Sequence, residues 1–252
     1  MTTLVVLPGL DGTEVFLRPL LASLPDEIRR IVIDYSGATA STYDPLLHMV
    51  QEAVAGLSEF YVVAFSFGGP LAIMLAAAEP RRVRGVILAA SFLRLPNPYL
   101  ALLKFAAVGP VMAAIRMIRR LPVWFMRRST DPWRIAKAEL WSRVSASALA
   151  ARVRALMRTD VRPLVAACQQ PMLCIAFDND RVVPRARVDE IVASAPRAEV
   201  VELPGRHFAM FASPAPLARE IARFVTRCDQ SCDEIRYLHR ICVRSTRLPA
   251  PP

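Results

Sequence analysis

Between Thr3 and Ala90, short apolar runs alternate with helix-length stretches, and no other feature of this chain restricts its fold so tightly. Thr3–Leu7, Arg30–Asp34, Phe60–Phe65 and Val83–Ala90 are β-branched or aliphatic runs of strand length. Between them Glu14–Ser23, with Thr13 as its N-cap, Tyr43–Gly56 and Gly68–Glu79 carry helical patterning. Proline falls where a helix tolerates it or ends on it: Pro45 in a first turn, Pro80 just past a last one. Such alternation predicts a parallel sheet covered on both faces, because each strand needs a crossover helix to reach its parallel neighbour.

The alternation stops at Phe92. From there to about Gln169 the periodicity is helical throughout, over Leu100–Val108, Val111–Arg120, Trp133–Val144, Ala146–Arg158 and Arg162–Cys168. Met172–Phe177 and Glu199–Leu203 then read as strands, and Arg185–Ala195 and Ala215–Arg227 as helices. A helical insertion between two parallel strands predicts a cap over the carboxyl ends of the sheet, where such sheets place their sites. The expected organisation is a core of residues 1–91 and 171–227, a helical cap of 92–170, and a weakly ordered tail of 228–252.

With 252 residues, 54% of them hydrophobic, the chain can bury one large α/β core. Its net charge of +10 is concentrated: residues 1–91 sum to −3, 92–170 to +11, 171–225 to zero and 226–252 to +2. A concentrated positive face steers acidic partners, although arginine also decorates ordinary solvated helices. No nucleic-acid recognition motif accompanies the charge, so no nucleic-acid partner is expected. The five cysteines form neither a disulfide frame nor a zinc spacing, and neither a metal nor a cofactor is expected. No signal peptide precedes Leu4–Leu7, and no stretch is long and uncharged enough to span a bilayer, so the expected location is the cytoplasm. Pro98–Arg120, apolar and ending in Arg116, Arg119 and Arg120, keeps contact with a membrane surface as a minor alternative.

The chemistry concentrates at Ala64-Phe65-Ser66-Phe67-Gly68-Gly69, where a strand ends, a serine follows and a helix starts within two residues. A sharp turn of this kind presents the serine hydroxyl at the head of a helix, and it needs small residues two places before and after the serine. Ala64 and Gly68 meet that need. A serine requires a base to become a nucleophile. Of the three histidines, His48 lies in an early helix and His239 in the tail, whereas His207 follows the last strand and is the candidate base. Asp178 and Asp180, after the strand Met172–Phe177, are the candidate acids. The Asp-x-Val-Val-Pro spacing favours Asp180 at the loop tip, with Asp178 expected to bond the loop backbone. Donors for an oxyanion are expected from the backbone N–H of Phe67, at a helix start, and of Leu10, in Leu7-Pro8-Gly9-Leu10-Asp11-Gly12-Thr13. Asp11 serves equally well as a turn former or as a brace for that loop.

These segments, with Asp180-Arg181-Val182-Val183-Pro184 and Gly205-Arg206-His207, together resemble an α/β-hydrolase of the small bacterial esterase-like group over residues 2–225. The Pro-Gly-Leu-Asp-Gly-Thr loop also resembles the acyltransferase part of plant phytyl ester synthases. Pro8-Gly9 stands where the family usually has His-Gly. The chain begins at the family's third strand, so the resemblance implies a mostly parallel six-stranded sheet flanked by helices, with a helical cap insertion. It further implies a carboxylic ester hydrolase acting on a small acyl ester. Thioesterase, acyltransferase or acyl-carrier-protein ester hydrolase activity is the alternative. The family includes pimeloyl-carrier-protein methyl ester esterases, which dock acidic carriers on basic caps. Phe92, Leu95, Tyr99, Phe105, Trp124, Phe125, Trp133 and Trp141 are candidate linings for an acyl pocket, alongside ordinary helix packing. A non-enzymatic binding module is the third class of reading, and the full Ser66, Asp180 and His207 set argues against it.

Overall fold

The computed structural model describes residues 2–95 and 130–245, with side chains as far as Gln230. Six strands, β1 (Thr2–Leu7), β2 (Ile28–Val32), β3 (Phe60–Phe65), β4 (Val83–Ala89), β5 (Met172–Phe177) and β6 (Ala198–Leu203), form one sheet. Their order is β2-β1-β3-β4-β5-β6 and every pairing is parallel, as the strand–helix alternation predicts. β3 and β5 are buried at every position, which is why they read as unbroken apolar runs.

Alternate strand residues point to opposite faces, and each face has its own core. On one face Val5, Val62 and Val86 meet Leu46 and Val50 of α2 (Asp44–Ala53), Leu71 of α3 (Gly68–Ala78) and Ile191 of α7 (Arg185–Ser194). On the other, Leu4, Val63 and Ile87 meet Leu20 of α1 (Arg18–Ser23), Met210 of α8 (Ala209–Ala212) and Ile221 and Phe224 of α9 (Pro214–Ser245). Between β4 and β5 the chain forms α4 (Pro132–Arg143), α5 (Ala146–Arg158) and the short α6 (Arg162–Val165). Asp131 and Ser145 cap α4 and α5 by accepting from Trp133 N and Ala148 N, both at 3.0 Å, contacts of about 1 kcal/mol each. A third cluster joins Val15 and Phe16 to Ala136 and Leu140 of α4 and to Val144 just past its end. The expected helices Leu100–Val108 and Val111–Arg120 lie outside the described residues.

Several boundaries differ from the sequence reading, among them the ends of α2 and α6, which stop at Ala53 and Val165 rather than Gly56 and Cys168. α1 begins at Arg18, not Glu14: the Thr13 hydroxyl accepts from Val15 N at 3.3 Å but closes a turn, and Pro19 sets the first helical turn. β2 starts two residues early, because its register places Ile28 beside Thr2 and Val32 beside Val6. α9 continues past Arg227 to Ser245.

Candidate active site

β1 and β3 are neighbours, but the chain leaves them toward opposite edges of the sheet, and crevices at such a reversal hold ligands in parallel sheets. Both ends of that crevice carry the motifs. After β3, Ser66 adopts φ of 49°, a left-handed conformation that non-glycine residues rarely take and that points its side chain out of the turn. The backbone packs so closely there that a Cβ on Gly68 would lie 2.7 Å from Pro8 O and 2.8 Å from Leu7 O. On Gly69 it would overlap Ser91, whose hydroxyl donates to Ser66 O at 2.9 Å. Glycine is required at both places.

The structure brings Ser66, His207 and Asp180 into one hydrogen-bonded line. His207 Nε2 lies 3.1 Å from Ser66 Oγ, and Nδ1 lies 2.8 Å from Asp180 Oδ2. The other Asp180 oxygen accepts from Val182 N at 2.8 Å and Val183 N at 2.9 Å, which fixes the carboxylate. The side chains of His207 and Asp180 are 12% and 2% exposed, so the pair works in a largely water-free setting. Asp178 stays away from the histidine: its Oδ1 accepts from Gly205 N at 2.9 Å and ties the acid loop to the histidine loop. His48 is exposed on α2.

Leu10 and Phe67 both border the cavity at Ser66, and among the described residues neither amide donates a backbone hydrogen bond. Phe67 is held from behind, stacked on Tyr43 with ring centroids 4.6 Å apart, while the Tyr43 hydroxyl donates to Phe67 O at 2.9 Å. The Leu10 loop is held by Tyr35, whose hydroxyl donates to Pro8 O, and by Gly12 at φ of 72°. Asp11 makes a local turn with its carboxylate on Thr13 N and Oγ1, so the turn-former role is the one displayed. Burial raises its carboxyl above the ordinary range despite those bonds.

Sequence reasoning missed Arg152. This side chain reaches from α5 beneath the loop and is fully buried. Its Nη1 donates to Tyr35 O and its Nη2 to Asp11 O at 3.2 Å, with Ser36 O within reach of both. Burial works against its charge and lowers its pKa. The only signal in the sequence is an arginine on the apolar side of an amphipathic helix, which is also how a snorkelling surface residue reads.

Ser66 opens into a cavity of about 430 Å³. Its walls are largely apolar, with Phe92 from the loop after β4, Trp133, Leu140 and Trp141 from α4, and Leu149 and Leu156 from α5; Asp11 and Lys137 are the charged residues on its lining. Phe92, Trp133 and Trp141 thus line it as the sequence reading expected. Leu95 packs on the main core instead, and Tyr99, Phe105, Trp124 and Phe125 lie outside the described residues. Trp133, Phe16, Phe208 and Phe211 interlock with centroids 4.8–5.5 Å apart and form the wall beside His207. Each such pair adds about 0.5–1.5 kcal/mol beyond burial. Among the described residues no group of acidic, histidine and cysteine side chains could hold a metal ion. No helix among them is long and apolar enough to cross a membrane.

The family model of the alpha/beta hydrolases matches residues 4–220, and the chain belongs to that family. A pimeloyl-acyl-carrier-protein methyl ester esterase of Xanthomonas campestris pv. campestris is 30% identical over 82% of this chain and 88% of that protein. A protein of Serratia proteamaculans named as a carbamate hydrolase is 24% identical over 80% of this chain and 82% of its own length. Among solved structures, the enol-lactonase of Burkholderia xenovorans LB400 superposes with a TM-score of 0.74 at 20% identity. That match covers 89% of this chain and 91% of the other.

Proposed function

We propose that this protein is a serine esterase that cleaves carboxylic esters through an acyl-enzyme intermediate. The hydrogen-bonded line Ser66–His207–Asp180, opening into an apolar cavity, carries this reading. Ser66 Oγ attacks the acyl carbon while His207 Nε2 takes its proton; Asp180 accepts from Nδ1–H and stabilises the imidazolium. The backbone N–H groups of Leu10 and Phe67 receive the oxyanion. As the tetrahedral intermediate collapses, His207 returns the proton to the departing oxygen. Water then enters by the same route in reverse and frees the acid. Residues 92–170 act in this reading as a cap whose α4 and α5 wall the acyl cavity. The buried unpaired thiols of Cys168 and Cys174 suit a reducing cytoplasm.

Ser66→Ala is expected to lose kcat on p-nitrophenyl and methyl esters by about 10⁴-fold or more. Wild type no more active than Ser66→Ala across esters and acyl thioesters would end the proposal.

A second reading keeps the mechanism and places the acyl group on an acidic carrier protein. The +11 charge of residues 92–170 and the 30% identity to a carrier-protein ester esterase favour it. Carrier substrates should then lose turnover steeply with salt while small esters do not. Equal salt responses would remove it.

A further inference from the structure

The peptide unit that joins Ser66 to Phe67 carries, in the esterase reading, an N–H that receives the oxyanion. Its other end, the Ser66 carbonyl, is held by a departure from regular strand pairing. β3 and β4 run in register up to Phe65 beside Ala89, and Ser66 N continues the ladder by donating to Ala89 O at 3.0 Å. The next bond of a parallel ladder would run from Ser91 N to Ser66 O. Among the described residues Ser91 N makes no backbone hydrogen bond, and the Ser91 hydroxyl donates to Ser66 O at 2.9 Å in its place.

Two local penalties accompany that exchange. Ala90 adopts φ of 48°, a left-handed conformation that alanine rarely takes, while its N–H stays on Ile175 O at 2.9 Å. Position 69 must be glycine, because a Cβ there would overlap the Ser91 hydroxyl. Neither penalty is needed merely to satisfy the carbonyl, which already accepts from Gly69 N at 3.0 Å. Ser91 is buried, so water does not stand in for its hydroxyl. A backbone outlier, a forced glycine and a buried hydroxyl thus converge on one oxygen. That oxygen belongs to the peptide whose opposite end is the Phe67 N–H.

We propose that Ser91 is a positioning residue for the oxyanion hole: its hydroxyl holds and polarises the Ser66–Phe67 peptide, so that Phe67 N–H is aimed before charge develops. The inference rests on the serine-esterase reading and on Phe67 N–H as one of its donors. A carbonyl that accepts two hydrogen bonds draws electron density from the amide nitrogen, which makes the N–H a stronger donor. The dipoles of the Ser91 O–H, the Ser66 C=O and the Phe67 N–H then add along one line. A peptide fixed in advance needs no reorientation as the tetrahedral intermediate forms. Ser91 itself lies outside the cavity, whose wall includes the next residue, Phe92, and it takes no part in bond making.

The test uses 4-nitrophenyl hexanoate as substrate and an alkyl trifluoromethyl ketone as a mimic of the tetrahedral intermediate. When Ser66 Oγ adds to the ketone carbon, His207 takes the serine proton and the former carbonyl oxygen becomes the oxyanion, with no group leaving. Ser91→Ala should lower kcat about tenfold with KM within about twofold, a smaller loss than removal of a donor itself. The ketone should bind more weakly by a similar factor, because it makes the same oxyanion contacts. Acylation and deacylation both pass through an oxyanion, so kcat falls whichever step limits. Ser91→Cys refills the space with a weak donor and should lose at least about threefold in kcat and in ketone affinity. It carries the same test should Ser91→Ala fail to fold. Ser91→Ala with kcat within about twofold of wild type overturns the proposal. A fall in kcat with ketone affinity unchanged also overturns it, since the oxyanion hole is then intact. Ser91→Cys at the wild-type level does so as well, because filled volume and not donation would then be what matters. In each case Ser66-dependent hydrolysis leaves the esterase reading standing. Wild type no more active than Ser66→Ala on the ester sinks both.

Discussion

Two helices of the insertion border the cavity at Ser66, and beyond their apolar packing the polar contacts that fasten them to the core are of opposite kinds. The polar fastening of α5 is one buried group, the Arg152 guanidinium under the carbonyls of Asp11, Tyr35 and Ser36. The polar fastening of α4 is an ion network at the surface. Arg143 binds Glu14 and Asp34 at 2.7 Å each, and Arg18 binds Glu14 at 2.7 Å and Glu139 at 2.6 Å. A buried donor cannot be replaced by water, so its loss leaves carbonyls unsatisfied. An exposed pair exchanges readily with solvent and salt. The lesson concerns function: the rigid fastening lies beneath the proposed oxyanion loop, and the adjustable one lies beside the cavity wall.

The largest expected effect comes from breaking the buried fastening. Arg152→Met should lower stability by about 3 kcal/mol, since buried carbonyls lose their donors. Because the Leu10 N–H is one residue from the released Asp11 carbonyl, kcat should also fall roughly 10–100-fold with KM little changed. Arg152→Lys, which restores a cation, should recover part of kcat. Thermal melts beside steady-state kinetics check both. A variant that loses stability with kcat intact would reduce Arg152 to a packing role.

At the surface the effect should be smaller and should depend on salt. Arg143→Ala is expected to cost about 0.5–1 kcal/mol at low ionic strength, and less than half of that in 1 M NaCl, with kcat almost unchanged. Melting curves at the two salt concentrations measure it. A loss independent of salt would place α4 in the same class as α5.

The smallest effect is the titration of Glu14. Its carboxyl is lowered from 4.5 to about 2, chiefly by the hydrogen bond from Arg143. A depressed acid contributes stability that is complete above its unfolded value and lost as the proton binds. The contribution should therefore fade as pH drops from 4.5 toward about 2. Melting temperature against pH should show this segment in wild type and a flatter one in Arg143→Ala. Parallel curves would mean that the network does not hold Glu14.

Much of this was legible in the chain. The six parallel strands follow from runs such as Phe60–Phe65 and Met172–Phe177, because a strand buried on both faces must be apolar throughout. Ser66, Asp180 and His207 were readable because each follows a strand end, and the sheet brings strand ends together whatever the detail of the helices. The start of α1 was misread because a capping threonine and a turn-closing threonine look alike until Pro19 is placed.

Local order in the chain settled which residues stand at the ends of the strands, and hence which can meet. That information is carried by hydrophobic period and turn chemistry between near neighbours. Tertiary structure alone decided that Tyr43 braces Phe67 and that Arg152 lies beneath a loop 141 residues away in sequence. Each of these depends on the direction of a side chain across a packed interface, and no short-range pattern encodes that direction.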